Sequence, residues 1–283
     1  MSSPDTVAAR PQPVTTVRPP GRWPGLGLRE LWGARELVYF MAKREVQIRY
    51  KQSLLGISWA VLQPLGIAAI FALLFGLILN VASDGIVYPV FAIVGIVPWM
   101  FASQTMNQGA QSLVIDAPLL SKVYFPRLSI PFAKGLGLSL DLTIAFVVMI
   151  AVVLAYGVGL TVNALLAPAF LVLGALAAFS LATLFAAINV KYRDMLVVVP
   201  VIVQLLLFLS PLIYSATEIK GNWIYLYSVN PFASVITGMR WSLAEGPAPI
   251  TGAVVVSVIS ALFLFAAAII YFRRAEQEFA DIV

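Results

Sequence analysis

The sequence predicts an all-α polytopic membrane protein. It has six transmembrane helices, an N-terminal amphipathic interface helix, and re-entrant external half-helices between spans five and six. Three observations predict this. Of the 283 residues, 61% are hydrophobic and 11% charged, against roughly 25% charged in average soluble domains. Six apolar runs each approach the ~20 residues that a bilayer crossing needs. Once those runs are marked, only Lys220 and Arg240 of the 18 Lys and Arg residues fall on one side, leaving 16 on the other. That is the bias insertion imposes on cytoplasmic loops, so both termini are expected in the cytoplasm.

The elements follow in order. Residues 1–33 carry Pro4, Pro11, Pro13, Pro19, Pro20 and Pro24 and lack the apolar core of a signal peptide, so a flexible cytoplasmic tail is expected. In 34–56, Leu37, Phe40, Met41 and Ile48 share one helical face and Glu36, Lys43, Gln47 and Lys51 another. That pattern suits a helix lying in the cytoplasmic interface with its apolar side in lipid. The six-span domain occupies 57–275, with spans at 57–80, 86–112, 135–157, 164–189, 195–214 and 250–272. Pro64, Pro98, Pro168, Pro200 and Pro211 mark kinks or local breaks. The loop 113–134 (Lys122, Arg127, Lys134), the short loop 190–194 and the C-terminal 276–283 are cytoplasmic, while 81–85 and 158–163 are external.

The segment 215–249 is external and too polar to span. Asn230 is a good N-cap and Pro231 suits the first helical turn. Phe232, Val235, Ile236, Met239 and Leu243 then form one apolar stripe. Two half-helices, 217–227 and 231–244, are expected to dip into the outer leaflet, where irregular backbone must be buried in protein or line a cavity. Glu218, Lys220, Arg240 and Glu245 are expected at the outer rim.

Several chemistries are excluded. Cysteine and histidine are both absent, which removes disulfides, Cys/His zinc sites, thiol nucleophiles and imidazole triads. No acidic cluster suggests a metal. The net charge of +5 follows from loop sorting, so no nucleic-acid partner is expected. Asp141 is the sole charged residue inside the spans as drawn. It is a poor proton relay and is expected to bond a neighbouring helix. No G-x-x-x-x-G-K-[ST] loop occurs, so the chain has no nucleotide site of its own. Filter motifs and charge rings are also missing. An embedded transferase needs an acidic or histidine site at one leaflet, and none is present. These absences point to transport driven from outside the chain.

Five segments carry a resemblance: RYKQSLLGISWAVLQPL (49–65), GIVPWMFASQ (95–104), LLSKVYFPRLSIP (119–131), KYRDM (191–195) and NPFASVITGMRW (230–241). In this order, on a six-span layout, the chain resembles the permease subunit of type-2 ABC exporters, in the branch that exports O-antigen, capsule and teichoic-acid polymers. The resemblance covers roughly 34–275. It implies a homodimer in the cytoplasmic membrane, in contact with membrane lipid and bound to two copies of a separate ATPase. It also implies a polyprenyl-diphosphate-linked glycan as cargo. No cofactor is expected in this chain, since ATP and Mg belong to the partner. A type-2 ABC permease for a drug or lipid is the alternative.

Candidate residues follow. By resemblance, the segment 117–131 with Lys122, Tyr124, Phe125, Pro126 and Arg127 is the element that couples to the ATPase, its backbone restricted by prolines. Arg44, Arg49 and Lys51 of the interface helix offer a second contact, or a site for the diphosphate. Gln104, Asn107, Gln108 and Gln111, with Trp99 and Phe101 above them and the Phe71–Phe75 pair in the first span, are candidates to line the substrate path. Amides suit sugar hydroxyls and rings suit sugar C–H faces, while the rival role for the amides is bonding between helices. Asn230, Pro231, Phe232, Met239, Arg240 and Trp241 belong, by resemblance, to an external gate. Catalytic and metal-ligating residues are expected to be absent.

Overall fold

A computed structural model describes residues 28–51, 55–120, 125–192 and 194–282. The proposed N-terminal tail through residue 27, with Lys122 and Tyr124 of the coupling segment, lies outside the described residues. Within them all regular structure is helical: α1 (Leu28–Gly33), α2 (Arg35–Lys51), α3 (Trp59–Phe71), α4 (Tyr88–Ile115), α5 (Ala117–Leu120), α6 (Ser129–Ala155), α7 (Ala167–Lys191), α8 (Met195–Phe208), α9 (Trp223–Tyr227), α10 (Pro231–Leu243) and α11 (Thr251–Ile282).

Among the described residues, five helical stretches are long and apolar enough to cross a membrane: Gly56–Ile78, Tyr88–Ile115, Ser129–Ala155, Val162–Lys191 and Thr251–Glu276. The first is α3 extended by a 3-10 turn at Gly56–Ser58 and a π-helical segment at Ala72–Ile78. The sixth apolar helix, α8, has 14 residues and is roughly 21 Å long at about 1.5 Å per residue. The sequence predicted 195–214, but the helix stops at Phe208. Pro211 has no N–H to give, and it disfavours helical backbone at Ser210 before it. The apolar chain beyond continues as turns. At the start of the third span the helix begins at Ser129, six residues before the predicted 135, because Pro131 is accommodated in its first turn.

The core is organised around α4, which packs on α3, α6, α7, α8 and α10. Val90, Phe91, Ile93, Val94, Ile96 and Val97 are 0–2% exposed, as expected of a helix apolar on all sides and enclosed by others. Small residues bring the neighbours close. A Cβ at Gly109 would stand 2.6 Å from that of Ala182, and one at Gly238 would stand 2.2 Å from the Phe170 ring. By contrast the π-helical segment after α3, α8 and α11 expose Leu77, Val197 and Phe263 among many apolar side chains, a surface suited to lipid.

The half-helix α10 is inside the bundle. Phe232 packs edge-on against Trp99 with ring centroids 5.5 Å apart. Ile236 and Arg240 lie against Gly95, and Arg240 covers the Phe91 ring. These pairings run α10 antiparallel to α4, reaching from the level of Phe91 to that of Trp99. From Tyr88 to Trp99 is roughly 16 Å along the axis, so α10 lies beside α4 for about three turns. Its apolar stripe is buried throughout: Phe232, Val235, Ile236, Met239 and Leu243 are each at most 3% exposed.

Candidate functional site

The predicted interface helix α2 is held by charge as well as by apolar contact. Val38, Met41 and Ala42 are buried, the first two in a small core with Leu113, Leu128, Ile130 and Phe272. The predicted apolar stripe therefore divides. Met41 turns inward, while Phe40 and Ile48 remain exposed beside Tyr39. Gly137 of α6 lets the two helices approach, for a Cβ there would stand 3.0 Å from Glu45 Cβ and 3.2 Å from the Ala42 carbonyl oxygen.

Along this seam lies a chain of ion pairs. Lys134 Nζ sits 2.7 Å from Glu45 Oε1 and 3.2 Å from Asp116 Oδ2. Arg44 approaches Asp116 from the surface at 3.9 Å. One turn along α2 from Glu45, Arg49 pairs with Asp141, and the Tyr50 hydroxyl donates to the same carboxylate. Arg49 also donates to Gln108 Oε1 on α4 at 3.2 Å. One guanidinium thus joins three helices. Its fork geometry allows this, where a lysine ammonium offers a single point charge.

Above this knot is a cavity of about 210 Å³. Arg49, Tyr50, Trp59, Gln63, Phe101, Gln104 and Asp141 are among its walls. Of the residues named as candidates for the substrate path, Phe101 and Gln104 therefore share one cavity with Arg49. Gln108 is engaged by Arg49 below it. Asn107 is half-buried and donates to its own helix at the Ser103 carbonyl, 2.9 Å away. Gln111 is half-buried further along. Trp99 is turned away from this cavity and buried against Phe232. Phe71 and Phe75 form an edge-on pair with centroids 5.4 Å apart, half-buried beside the main core.

In the coupling segment, Phe125 packs against the small core beneath α2. The Pro126 carbonyl accepts the Ser129 N–H, and Arg127 donates to the Glu276 carbonyl of α11 at 3.2 Å. Arg44 and Lys51 are exposed. Among the described residues no group of three or more acidic side chains is placed to hold a metal.

In the segment 215–249, Asn230 caps α10 by accepting the Phe232 N–H at 3.1 Å. Its amide donates to Ser210 Oγ and the Leu209 carbonyl, which ties the start of α10 to the end of α8. Pro231, Phe232 and Met239 are buried and Trp241 is half-buried. The prediction for Arg240 is corrected. It is 3% exposed and far from a rim residue. Its Nε donates to the Phe91 carbonyl at 3.2 Å and its terminal nitrogens to Pro211 at 2.5 Å and Leu212 at 2.9 Å. The broken backbone after α8 supplies two of these acceptors, and orphan carbonyls of this kind attract a cation. Glu218, Lys220 and Glu245 are exposed, as a rim requires. Burial, then the hydrogen bond with Tyr214, pushes the Tyr227 phenol well above its ordinary range and keeps it neutral.

The sequence reading missed Tyr50, Trp59, Gln63 and the Glu45–Lys134–Asp116 cluster. A partial signal was present. Glu45 and Arg49 share one face of α2, and Lys134 and Asp141 share one face of α6, giving opposite charges in matched order.

A family profile described as ABC-2 type transporter matches residues 36–244. The O-antigen export system permease protein RfbA of Myxococcus xanthus is 28% identical over 257 residues, which are 90% of this chain and 98% of that protein. The O-antigen export system permease protein RfbA of Klebsiella pneumoniae is 25% identical over 212 residues, covering 75% of this chain and 81% of its own. The polysialic acid transport protein KpsM of Escherichia coli is 23% identical over 205 residues, 72% of this chain and 79% of its own.

Proposed function

Because the chain belongs to the ABC-2 type transporter family, as a multi-pass permease subunit, we propose that it exports a polyprenyl-diphosphate-linked polysaccharide of O-antigen or capsule type. The cargo passes from the cytoplasm across the cytoplasmic membrane. Two copies of this chain work with two copies of a separate ATPase, which binds ATP and Mg and supplies the drive. Both termini face the cytoplasm. The names of the relatives support the cargo class.

One observation carries the site assignment: Phe101 and Gln104 of α4 face the Arg49–Asp141 pair across a single cavity. An aromatic ring and an amide suit a sugar, and a guanidinium suits a diphosphate. Arg49 is the residue that meets the headgroup, and Gln104 and Phe101 begin the sugar path. Motion enters through residues 117–131. Phe125 and Arg127 join that segment to α2 and α11, so a push there moves both helices. Residues Asn230 to Trp241 close the outer mouth at rest.

Depletion of the chain in living cells tests the reading. The expected result is accumulation of a lipid-diphosphate-linked glycan on the cytoplasmic side. Accumulation of a drug or a free lipid, with glycans unaffected, overturns the cargo assignment.

A further inference from the structure

A second cavity, of about 290 Å³, lies between the turn at 84 and the segment 215–253, on the external side by the charge sorting. From its chemistry we infer that it is a binding site for a neutral sugar, sized for a single ring. The choice of a sugar rests on the glycan-export reading above.

Five of the six hydroxyls that line the cavity commit their protons within the fold, Ser234 among them toward the Ala253 carbonyl at 3.4 Å, and the sixth, Tyr227, is bonded to Tyr214. Thr237 donates to the Ala233 carbonyl at 2.9 Å, and Ser228 donates to the Ile224 carbonyl at 2.7 Å. Ser215 and Thr217 both donate to the Asp84 carboxylate. What these groups still offer is lone pairs, less the one on Ser215 Oγ that accepts the Thr217 N–H at 3.1 Å. Asp84 keeps unused acceptor positions as well, since an ionised carboxylate can accept about four hydrogen bonds. The lining is therefore rich in acceptors, and a complementary ligand must be rich in donors.

Charge narrows the choice. The cavity holds one carboxylate, Asp84, and one guanidinium, Arg240. An anion would meet Asp84 and a cation would meet Arg240, so neither suits the whole site. Arg240 directs three N–H groups to carbonyls, leaving about two of its five as donors. Many acceptors, a few donors and no net charge describe the complement of a polyhydroxylated neutral ring. Ile219, Ile224 and Pro249 supply apolar wall for its C–H faces. A volume near 300 Å³ is at the small end of ligand sites, which suits one sugar unit.

The position gives the site a role. Asp84 holds the turn that opens the external segment, and Arg240 and Thr237 lie on the half-helix α10. A sugar unit arriving here bridges the two, and so holds the external half-helix in contact with emerging glycan.

The test uses the full chain with its ATPase partner in lipid nanodiscs. Saturation-transfer NMR is recorded with glucose, galactose, mannose and N-acetylglucosamine, and with putrescine and inorganic phosphate as charged comparators. At least one sugar is expected to bind saturably, and the charged comparators are not. Thr237→Val and Asp84→Asn are each expected to weaken that sugar about tenfold, the cost of about one hydrogen bond to a site group. Both keep side-chain size, and Thr237→Val removes a hydroxyl that the helix backbone does not need. No saturable sugar signal, binding indifferent to both substitutions, or preference for putrescine or phosphate overturns the site. Depletion separates the two proposals. Glycan accumulation without sugar binding sinks this site alone, and sugar binding without glycan accumulation sinks the export reading alone.

Discussion

Arg49 and Asp141, 92 positions apart in the chain, form one ion pair between α2 and α6. Asp141 alone would be a costly charge inside a span. With Arg49 and Tyr50 both donating to it, it becomes the post to which the interface helix is tied.

Asp141→Asn should therefore loosen α2. The pair is only partly buried, with side chains 25% and 19% exposed, so the loss is about 1–2 kcal/mol, less than the cost of breaking a fully buried pair. Thermal unfolding in nanodiscs, read on the Arg49→Met, Asp141→Asn and double variants, should show coupling between the two positions. Strictly additive losses would mean that the pair contributes nothing.

Lys134 serves two acids at once, Glu45 on α2 and Asp116 at the end of α4. Lys134→Glu should place three like charges together and detach α2 where the coupling segment begins. We expect the ATPase–permease complex to hydrolyse ATP while exporting at most about a tenth as much cargo, a barrier change of about 1.4 kcal/mol. Combining it with Glu45→Lys should recover part of the loss, because one opposite-charge contact returns. Export unchanged in Lys134→Glu would rule out this seam as a transmission element.

Arg240 fixes α10 to both α4 and the break after α8. Arg240→Met leaves the Pro211 and Leu212 carbonyls without their donor, a cost of about 1–3 kcal/mol per orphaned group at most, while the Phe91 carbonyl keeps its bond within α4. Arg240→Lys should rescue poorly, for an ammonium lacks the planar fork that spans the three acceptors. Limited proteolysis within 215–230 is the readout. Cleavage should accelerate in both variants, and wild-type protection in Arg240→Met would count against the anchor.

Gly238 allows α10 to lie flush on Phe170 of α7. Gly238→Ala should destabilise the protein by about 1–3 kcal/mol through overpacking. The companion change Phe170→Leu should relieve part of it. If Gly238→Ala melts like wild type, the close approach is not needed.

Loss of the Asn230 cap is a milder test. Asn230→Ala should cost about 1 kcal/mol, seen as a lower melting temperature with assembly intact. Because the same side chain ties α10 to Leu209 and Ser210, export should fall further than a cap alone explains.

By itself the sequence determined the class, the order of the long helices and the half-helix that starts at Asn230–Pro231, whereas the expected half-helix 217–227 is reduced to a 3-10 turn at Ala216–Glu218 and the five-residue α9. Apolar run length, lysine and arginine placement, and the Asn230–Pro231 start are local properties, and local properties are what a single chain displays. Tertiary structure decided the rest. The end of α8 depends on where the chain can break beneath a partner, and Arg240 is that partner from a distant segment. Read in sequence, Arg240 is a charge on the half-helix 231–244 of a segment too polar to span, and belongs at the rim. Folded, it finds three carbonyls that no local pattern announces. Asp141 likewise reads as isolated, because its counter-charge comes from α2, four helices earlier in the chain. Long-range pairing of charges is set by which faces meet, and that is settled by close packing at small residues such as Gly137 and Gly238.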